Sequence, residues 1–199
     1  MTELVTPETI ADDRAELARL YPYLEQYQQL ALKHKIADIF QDNGGKYVEL
    51  QIILGLTTNG KRMGNDATDK NGKEYEIKTV NINGKPEFTT HHHLKQVIID
   101  KYRKVSWFFA IYKGIKLLAI YRVDPDGMEK HYLKWEAKLN GGADHINNTK
   151  IAVRAVMNDG VLVWDREGKG SFSLPVAPRQ PRKQNPSVPK NSVTAALLY

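Results

Sequence analysis

The sequence predicts an α+β domain. Three observations lead there: an apolar stripe at helical spacing near the N-terminus, a middle region of strand texture interrupted by helical segments, and no internal repeat or regular strand–helix alternation. At 199 residues the chain suits one sizeable domain with attachments rather than two domains. Its 41% apolar and 26% charged residues are those of a globular protein. No apolar run approaches the roughly 18 residues of a membrane helix. The acidic opening MTELVTPETIADDR lacks the apolar core of a secretory signal, and the absence of cysteine excludes disulfides and thiolate metal sites. A cytoplasmic location is therefore expected.

A first helix is expected from Thr6 or Thr9, either of which can cap it, with Pro7 or Asp12 as supporting start signals. Leu17, Leu20, Leu24, Tyr27 and Ala31 recur at spacings of 3, 4, 3 and 4, which places one apolar stripe on a single helix or on two helices bent at Pro22. Such a stripe near a terminus belongs to a core or to a dimer seam. The turn FQDNGGK (40–46) stops it. The run YVELQIILGL (47–56) fits a short buried helix or a strand equally well, because periodicity cannot arbitrate so short an apolar segment.

Strands are expected at 65–69, 74–80, 107–112 and 115–123, the last two joined at Lys113-Gly114 as a hairpin. LKQVIIDKYRK (94–104) and GMEKHYLKWEAKL (127–139) read as helices, the second ended by Gly141-Gly142, and VLVW (161–164) as a final short strand. From about residue 165 the chain holds five of its nine prolines and few large apolar residues, so a disordered basic tail is expected over 165–199.

The net charge of +6 is concentrated in that tail, because residues 166–199 carry six Lys/Arg and one Glu. Bulk charge is thus weak evidence for a nucleic-acid partner. Within the body, however, residues 61–104 hold ten Lys/Arg against six Asp/Glu, together with three of the six histidines. This is a local basic patch suited to a phosphate backbone.

GNDATDKNGKEYEIKTV (64–80) lies in that patch and carries Asp66, Glu76 and Lys78 on two strand-like runs around Asn71-Gly72. A two-residue turn there would set Asp66 opposite Ile77 and turn Glu76 and Lys78 to the other face. A three-residue loop, Lys70-Asn71-Gly72, with Gly72 in the left-handed region, pairs Asp69 with Lys73 and sets Asp66 opposite Glu76. Their Cβ atoms would then be about 5 Å apart. Lys78 would share their face, opposite Gly64. Two converging carboxylates repel unless a cation separates them, and an oxygen-only set, with the Ile77 carbonyl available between the charged residues, selects a hard ion such as Mg²⁺. A nearby lysine suits an attacked phosphate. From residue types alone, an exposed charged hairpin remains the default.

TTHHH (89–93) is a poor zinc site, since consecutive histidines cannot all converge on one ion from a regular element. In extended structure His91 and His93 point one way and His92 the other, offering donors to guanine N7 and O6 in a major groove; a solvated loop is the simpler reading. Asn147-Asn148 poses the same choice, between a paired-amide contact to adenine and ordinary turn residues.

These signals coincide in one family. EQYQQLALKH (25–34), DIFQDNGGK (38–46), GNDA (64–67), EYEIK (74–78), FTTHHH (88–93), FAIYKGI (109–115) and INN (146–148) carry the resemblance. Between about Leu17 and Val161 the chain resembles the PvuII family of type II restriction endonucleases, in the PD-(D/E)xK nuclease superfamily. That resemblance implies a restriction-endonuclease-like mixed β-sheet core with flanking helices. It favours a helix at 47–56, and it divides a single endonuclease domain (1–164) into a helical dimerisation arm (7–56) and a catalytic and DNA-recognition core (57–164). It further implies a homodimer that depends on Mg²⁺ and cuts both strands of 5′-CAGCTG-3′ between G and C, leaving blunt ends with 5′-phosphates. A cognate DNA methyltransferase is expected in the host, without a stable complex.

By the same resemblance, Asp66 and Glu76 are metal ligands with the Ile77 carbonyl beside them, and Lys78 stands at the attacking water. Asp42 meets DNA from the minor-groove side and is needed for cleavage, and Tyr102 lies near the active-site water. Thr89, His92, His93, Asn147 and Asn148 take base-reading positions, and His91 supports the backbone contact. The chain departs from the family in Met63, where an acidic residue is usual, in Thr89 for serine, and in one residue missing before Ile146. The tail has no counterpart. An alternative on this scaffold is a non-cleaving, sequence-specific DNA-binding regulator. The intact Asp66, Glu76 and Lys78 argue against it, since a binding module has no need of repelling carboxylates.

Overall fold

The computed structural model describes residues 7–57 and 65–175. Helix α1 (Pro7–Lys33) is a single element of 27 residues with Pro22 inside it. Pro7 opens the helix, so Thr9 lies within it, and Thr6 falls outside the described residues. The apolar stripe divides along its length. Tyr27, Leu30 and Ala31 pack with Ile36, Ile39 and Val48, whereas Leu17 and Leu20 are 58% and 41% exposed.

Gln28 closes the loop after α1, donating to the Ala37 carbonyl and accepting from the Ile39 N–H at 3.0 Å each. The chain then turns through Asp42 and Asn43, both left-handed at φ +47° and +64°. Gly44 follows by steric necessity, because a Cβ there would lie 2.1 Å from the Asp38 carbonyl oxygen. Helix α2 (Gly44–Leu54) therefore begins inside the expected Gly-rich stop. Burial of Gly44, Val48, Leu50 and Gln51 follows a helical spacing, which resolves the ambiguous apolar run as helix.

Downstream, β1 (Ala67–Thr68), β2 (Glu74–Asn81), β3 (Glu87–Leu94), α3 (Gln96–Tyr102), β4 (Ser106–Lys113), β5 (Lys116–Val123), α4 (Pro125–Asn140), β6 (Ile146–Ala152), α5 (Val153–Asp159) and β7 (Val161–Asp165) follow in order. Five strands form one mixed sheet, ordered β1-β2-β4-β5-β7, in which β2 and β4 are parallel and the other neighbours antiparallel. Strands β3 and β6 pair separately as an antiparallel ribbon. The α+β mixed-sheet expectation holds.

WFFAIY reads as a continuous apolar run because β4 is buried on both faces. Trp107, Phe109 and Ile111 face a core with Tyr102, Tyr132 and Trp135 of the α3–α4 layer, while Phe108, Ala110 and Tyr112 face Leu50 of α2. Arg103 ties α3 to α4, pairing with Glu129 at 2.9 Å and Glu136 at 2.6 Å.

Three elements were not anticipated: β3, β6 and α5. Asn147 and Asn148 are strand residues of β6 rather than a turn, although Asn148 keeps a left-handed φ of +50°. The tail also needs correction. Residues 165–175 are not disordered: the Asp165 carboxylate accepts the Lys169 and Gly170 N–H groups at 2.9 Å, and Phe172 and Leu174 pack against the main core. Residues 176–199, like Met63 and Gly64, lie outside the described residues. Among the described residues no helix is long and apolar enough to cross a membrane.

The β1–β2 hairpin closes with the three-residue loop. Gly72 sits at φ +79°, its N–H donates to the Asp69 carbonyl at 3.0 Å, and Asp69 N–H donates to the Lys73 carbonyl at 2.9 Å. Space is not what excludes a side chain at this glycine, since a Cβ would meet nothing within 4 Å; the backbone conformation is. Gly72→Val is expected to cost about 1–2 kcal/mol in urea denaturation and Gly72→Asn much less. Equal midpoints for the two variants would refute a conformational origin.

Candidate active site

The register Ala67↔Tyr75 and Thr68↔Glu74 continues to set Asp66 opposite Glu76. Strand β1 stops after two residues, so the edge of β2 beyond it is served by side chains rather than by backbone. Asp66 Oδ2 accepts the Ile77 N–H at 2.9 Å. Lys78 Nζ lies 2.5 Å from Glu76 Oε1 and 3.6 Å from Asp66 Oδ2, and 5.8 Å from the centroid of the Trp107 ring. The lysine thus converges with both carboxylates, as a cation between them.

Glu76 is only 3% exposed. Burial pushes its pKa up to about 7; the Asp66 charge adds to this, and Lys78 opposes it. Burial pulls the Lys78 ammonium down, but the facing Glu76 and Asp66 carboxylates outweigh it and hold its pKa above the usual lysine range. Burial and the neighbouring Asp66 thus disfavour the charged form of Glu76 even with Lys78 beside it.

Two tyrosines border the cluster. Tyr102 shares a hydrogen bond between its hydroxyl and His91 Nδ1 at 3.0 Å, and Tyr132 fixes its carbonyl at 2.9 Å. Tyr47 of α2 donates to the Ile77 carbonyl at 3.4 Å. Burial first, then the nearby acidic charges, raises both phenols well beyond the ordinary tyrosine range, so both remain donors. Burial lowers the His91 pKa, with Lys78 adding to the effect, which favours the neutral imidazole.

A cleft of about 620 Å³ runs from Asn43 and Tyr47 past Ile77 and Lys78 to Thr89 and the histidines. Strand β3 of the β3–β6 ribbon forms its far wall. A bulge between Thr89 and His91 shifts the register ahead of the histidines, and from His91 to Leu94 the pairing is regular, so His91 and His93 share one face and His92 the other. His91 meets Tyr102, His92 Nδ1 lies 2.6 Å from Asn148 Oδ1, and the His93 ring stands 4.9 Å from His145. Asn147 pairs with His93 across the ribbon. The structure therefore gathers Asp66, Glu76, Ile77, Lys78, His91 and Tyr102 at one place and Thr89, His92, His93, Asn147 and Asn148 along the adjoining ribbon. Asp42 lies on the exposed turn before α2, next to Asn43, which lines the cleft.

Tyr47, Trp107 and His145 border these groups and were not singled out in the sequence. Tyr47 and Trp107 were hidden in apolar runs. For His145, its position two residues before the Asn pair was the available signal.

Two carboxylates, a frayed strand edge and a lysine on a mixed sheet, beside a ribbon of imidazoles and amides, define the restriction-endonuclease class. Residues 12–164 match the family model described as Restriction endonuclease PvuII. The chain belongs to that family and is a type II site-specific deoxyribonuclease acting on double-stranded DNA. Restriction endonucleases of this family generally use a divalent metal. The donor chemistry here suits one: Asp66 and Glu76 converge as oxygen donors, Glu76 is buried, and Lys78 balances part of their charge. Among the described residues no group of three or more His, Cys, Asp or Glu is placed to hold a metal ion, so an ion at this site would have two carboxylates and would draw its other ligands from backbone oxygen, water or DNA.

Proposed function

We propose that this endonuclease cuts both strands of 5′-CAGCTG-3′ between G and C, using Mg²⁺ and leaving blunt ends with 5′-phosphates. The observation that carries the catalytic part is the convergence of Asp66 and Glu76 on Lys78, with Asp66 also holding the Ile77 N–H. Asp66, Glu76 and the Ile77 carbonyl would hold the ion. When bound, it supplies positive charge for the attacked phosphate and the departing 3′ oxygen. Lys78 orients the attacking water for in-line displacement, and Tyr102, aligned by His91, hydrogen-bonds that water. Asp42 approaches from the minor groove. Thr89, His92, His93, Asn147 and Asn148 read base edges, and His91 supports the backbone contact.

A homodimer supports the palindrome, since each copy repeats one set of contacts on one half-site. Exposed Leu17, Leu20, Tyr21 and Tyr23 on α1 favour the arm as the seam. We assign residues 7–56 to that arm and 57–164 to the core. The enzyme acts in the cytoplasm beside a methyltransferase that protects the host.

Plasmid incubated with the protein in Mg²⁺, and separately in EDTA, followed by sequencing of the ends, tests the reading. Blunt ends within CAGCTG only in Mg²⁺ are expected. Intact plasmid with tight site binding would point to a non-cleaving regulator, and scattered ends would sink the specificity.

The protonation of Glu76 gives the metal a pH dependence. Its contribution to metal-free stability is present in full below the ordinary 4.5 and is lost as pH rises through about 7. Lys78 keeps its proton throughout that window. Metal must displace the Glu76 proton, so affinity should fall by up to about tenfold per pH unit below 7. The Mg²⁺-induced rise in melting temperature should be larger at pH 8 than at pH 6; equal rises would contradict the assignment.

A further inference from the structure

We propose that the Tyr47 hydroxyl is a positioning group for the metal centre: it holds the Ile77 carbonyl in place from α2 and links the Asp42–Asn43 turn to the metal-bearing strand. The proposal rests on the reading of Asp66, Glu76 and Ile77 as ligands. It begins with the frayed edge of β2. In a strand, the N–H and C=O of one residue point to the same side. The Ile77 N–H is taken by Asp66, so its carbonyl also faces the β1 side, beyond the end of β1 at Ala67. The continued register puts Asn65 opposite, outside any strand, and it supplies no ladder partner. The Tyr47 hydroxyl reaches this carbonyl, at 3.4 Å.

Packing does not explain that hydroxyl. The Tyr47 ring lies against the Leu50, Ile77 and Tyr112 cluster, a contact phenylalanine would make as well. The oxygen is additional, and it points to the one backbone group assigned to the ion. A carbonyl oxygen carries two lone pairs, so it can accept from a phenol and still serve as a ligand.

The origin of Tyr47 matters too. Its backbone N–H bonds to the Asn43 carbonyl at 3.1 Å, which places it one helical turn after the left-handed Asp42–Asn43 corner. A shift of that corner on DNA is passed through a single turn of helix to the Ile77 peptide. Asp42 and the metal site are mechanically joined at this residue.

Tyr47→Phe in the full chain is the test, with Tyr112→Phe as control. Tyr112 also donates a hydroxyl, to Glu49 at 3.0 Å, from a position opposite Asn81 at the end of β2 rather than to the Ile77 carbonyl. Calorimetric titration with Ca²⁺ alone is expected to show about three- to tenfold weaker binding for Tyr47→Phe and none of this loss for Tyr112→Phe. Half-maximal cleavage should need correspondingly more Mg²⁺, while the rate at saturating Mg²⁺ and metal-free binding to a CAGCTG duplex stay within about twofold of wild type. Wild-type Ca²⁺ affinity in Tyr47→Phe, or an equal loss in both variants, overturns the proposal while leaving the endonuclease reading intact. A wild-type protein that binds no metal and cuts nothing overturns both.

Discussion

Glu76→Ala is expected to abolish cleavage while leaving the protein able to bind its site. Glu76 is the buried member of the carboxylate pair, and its removal takes away the proposed metal ligand together with the close partner of Lys78. Loss of such transition-state charge stabilisation should lower single-turnover cleavage by at least about 10²–10³-fold. Binding should persist because the ribbon that bears the histidines and asparagines is a separate sheet, joined to the metal strand by packing rather than by strand pairing. A gel shift on a CAGCTG duplex without metal, run beside the cleavage assay, checks both halves. Cleavage within tenfold of wild type would remove Glu76 from the metal site.

Trp107→Ala should have the largest effect on stability. The indole is fully buried in β4, stacks on Phe109 with centroids 5.6 Å apart, meets Tyr102 edge-on at 4.6 Å and lies beneath the Lys78 ammonium. Truncation removes contacts on both the core side and the catalytic side, at a cost of about 3–5 kcal/mol. Urea denaturation measures it directly, and a loss under about 1 kcal/mol would show that the cavity collapses. Trp107→Phe, which keeps an aromatic surface under Lys78, should recover most of the stability. Trp107 is therefore both a core residue and a floor for Lys78.

The parts of the fold that were legible in the sequence are those fixed locally. The β1–β2 hairpin was readable because its loop chemistry is short-range: Gly72 and Asp69 determine which residues face each other, and Asp66 and Glu76 follow by counting. β4 and β5 were readable because two-sided burial leaves long apolar runs. By contrast, the ribbon joins His92 to Asn148 across more than fifty residues, with polar side chains that carry no alternation. Thr89, the histidines and the asparagines look like loop residues until their pairing is known. The α5 segment VRAVMND is too short for helical periodicity to show, and the anchoring of 165–175 depends on a few side chains, Asp165, Phe172 and Leu174, within a Pro- and Gly-rich stretch. The family resemblance carried the base-reading assignments that periodicity could not.

The bulge between Thr89 and His91 makes the ribbon the natural place for this scaffold to acquire a new target sequence. One extra residue on one strand sets the register in which His91 meets Tyr102 and His92 meets Asn148. On the base-reading roles proposed above, a single insertion or deletion in β3 or β6 would thus exchange several of these groups at once, while Glu76 and Lys78, on a different sheet, keep their places. Cutting and reading are separable units of inheritance here, and a laboratory search for altered specificity is best aimed at the length of the ribbon rather than at single side chains.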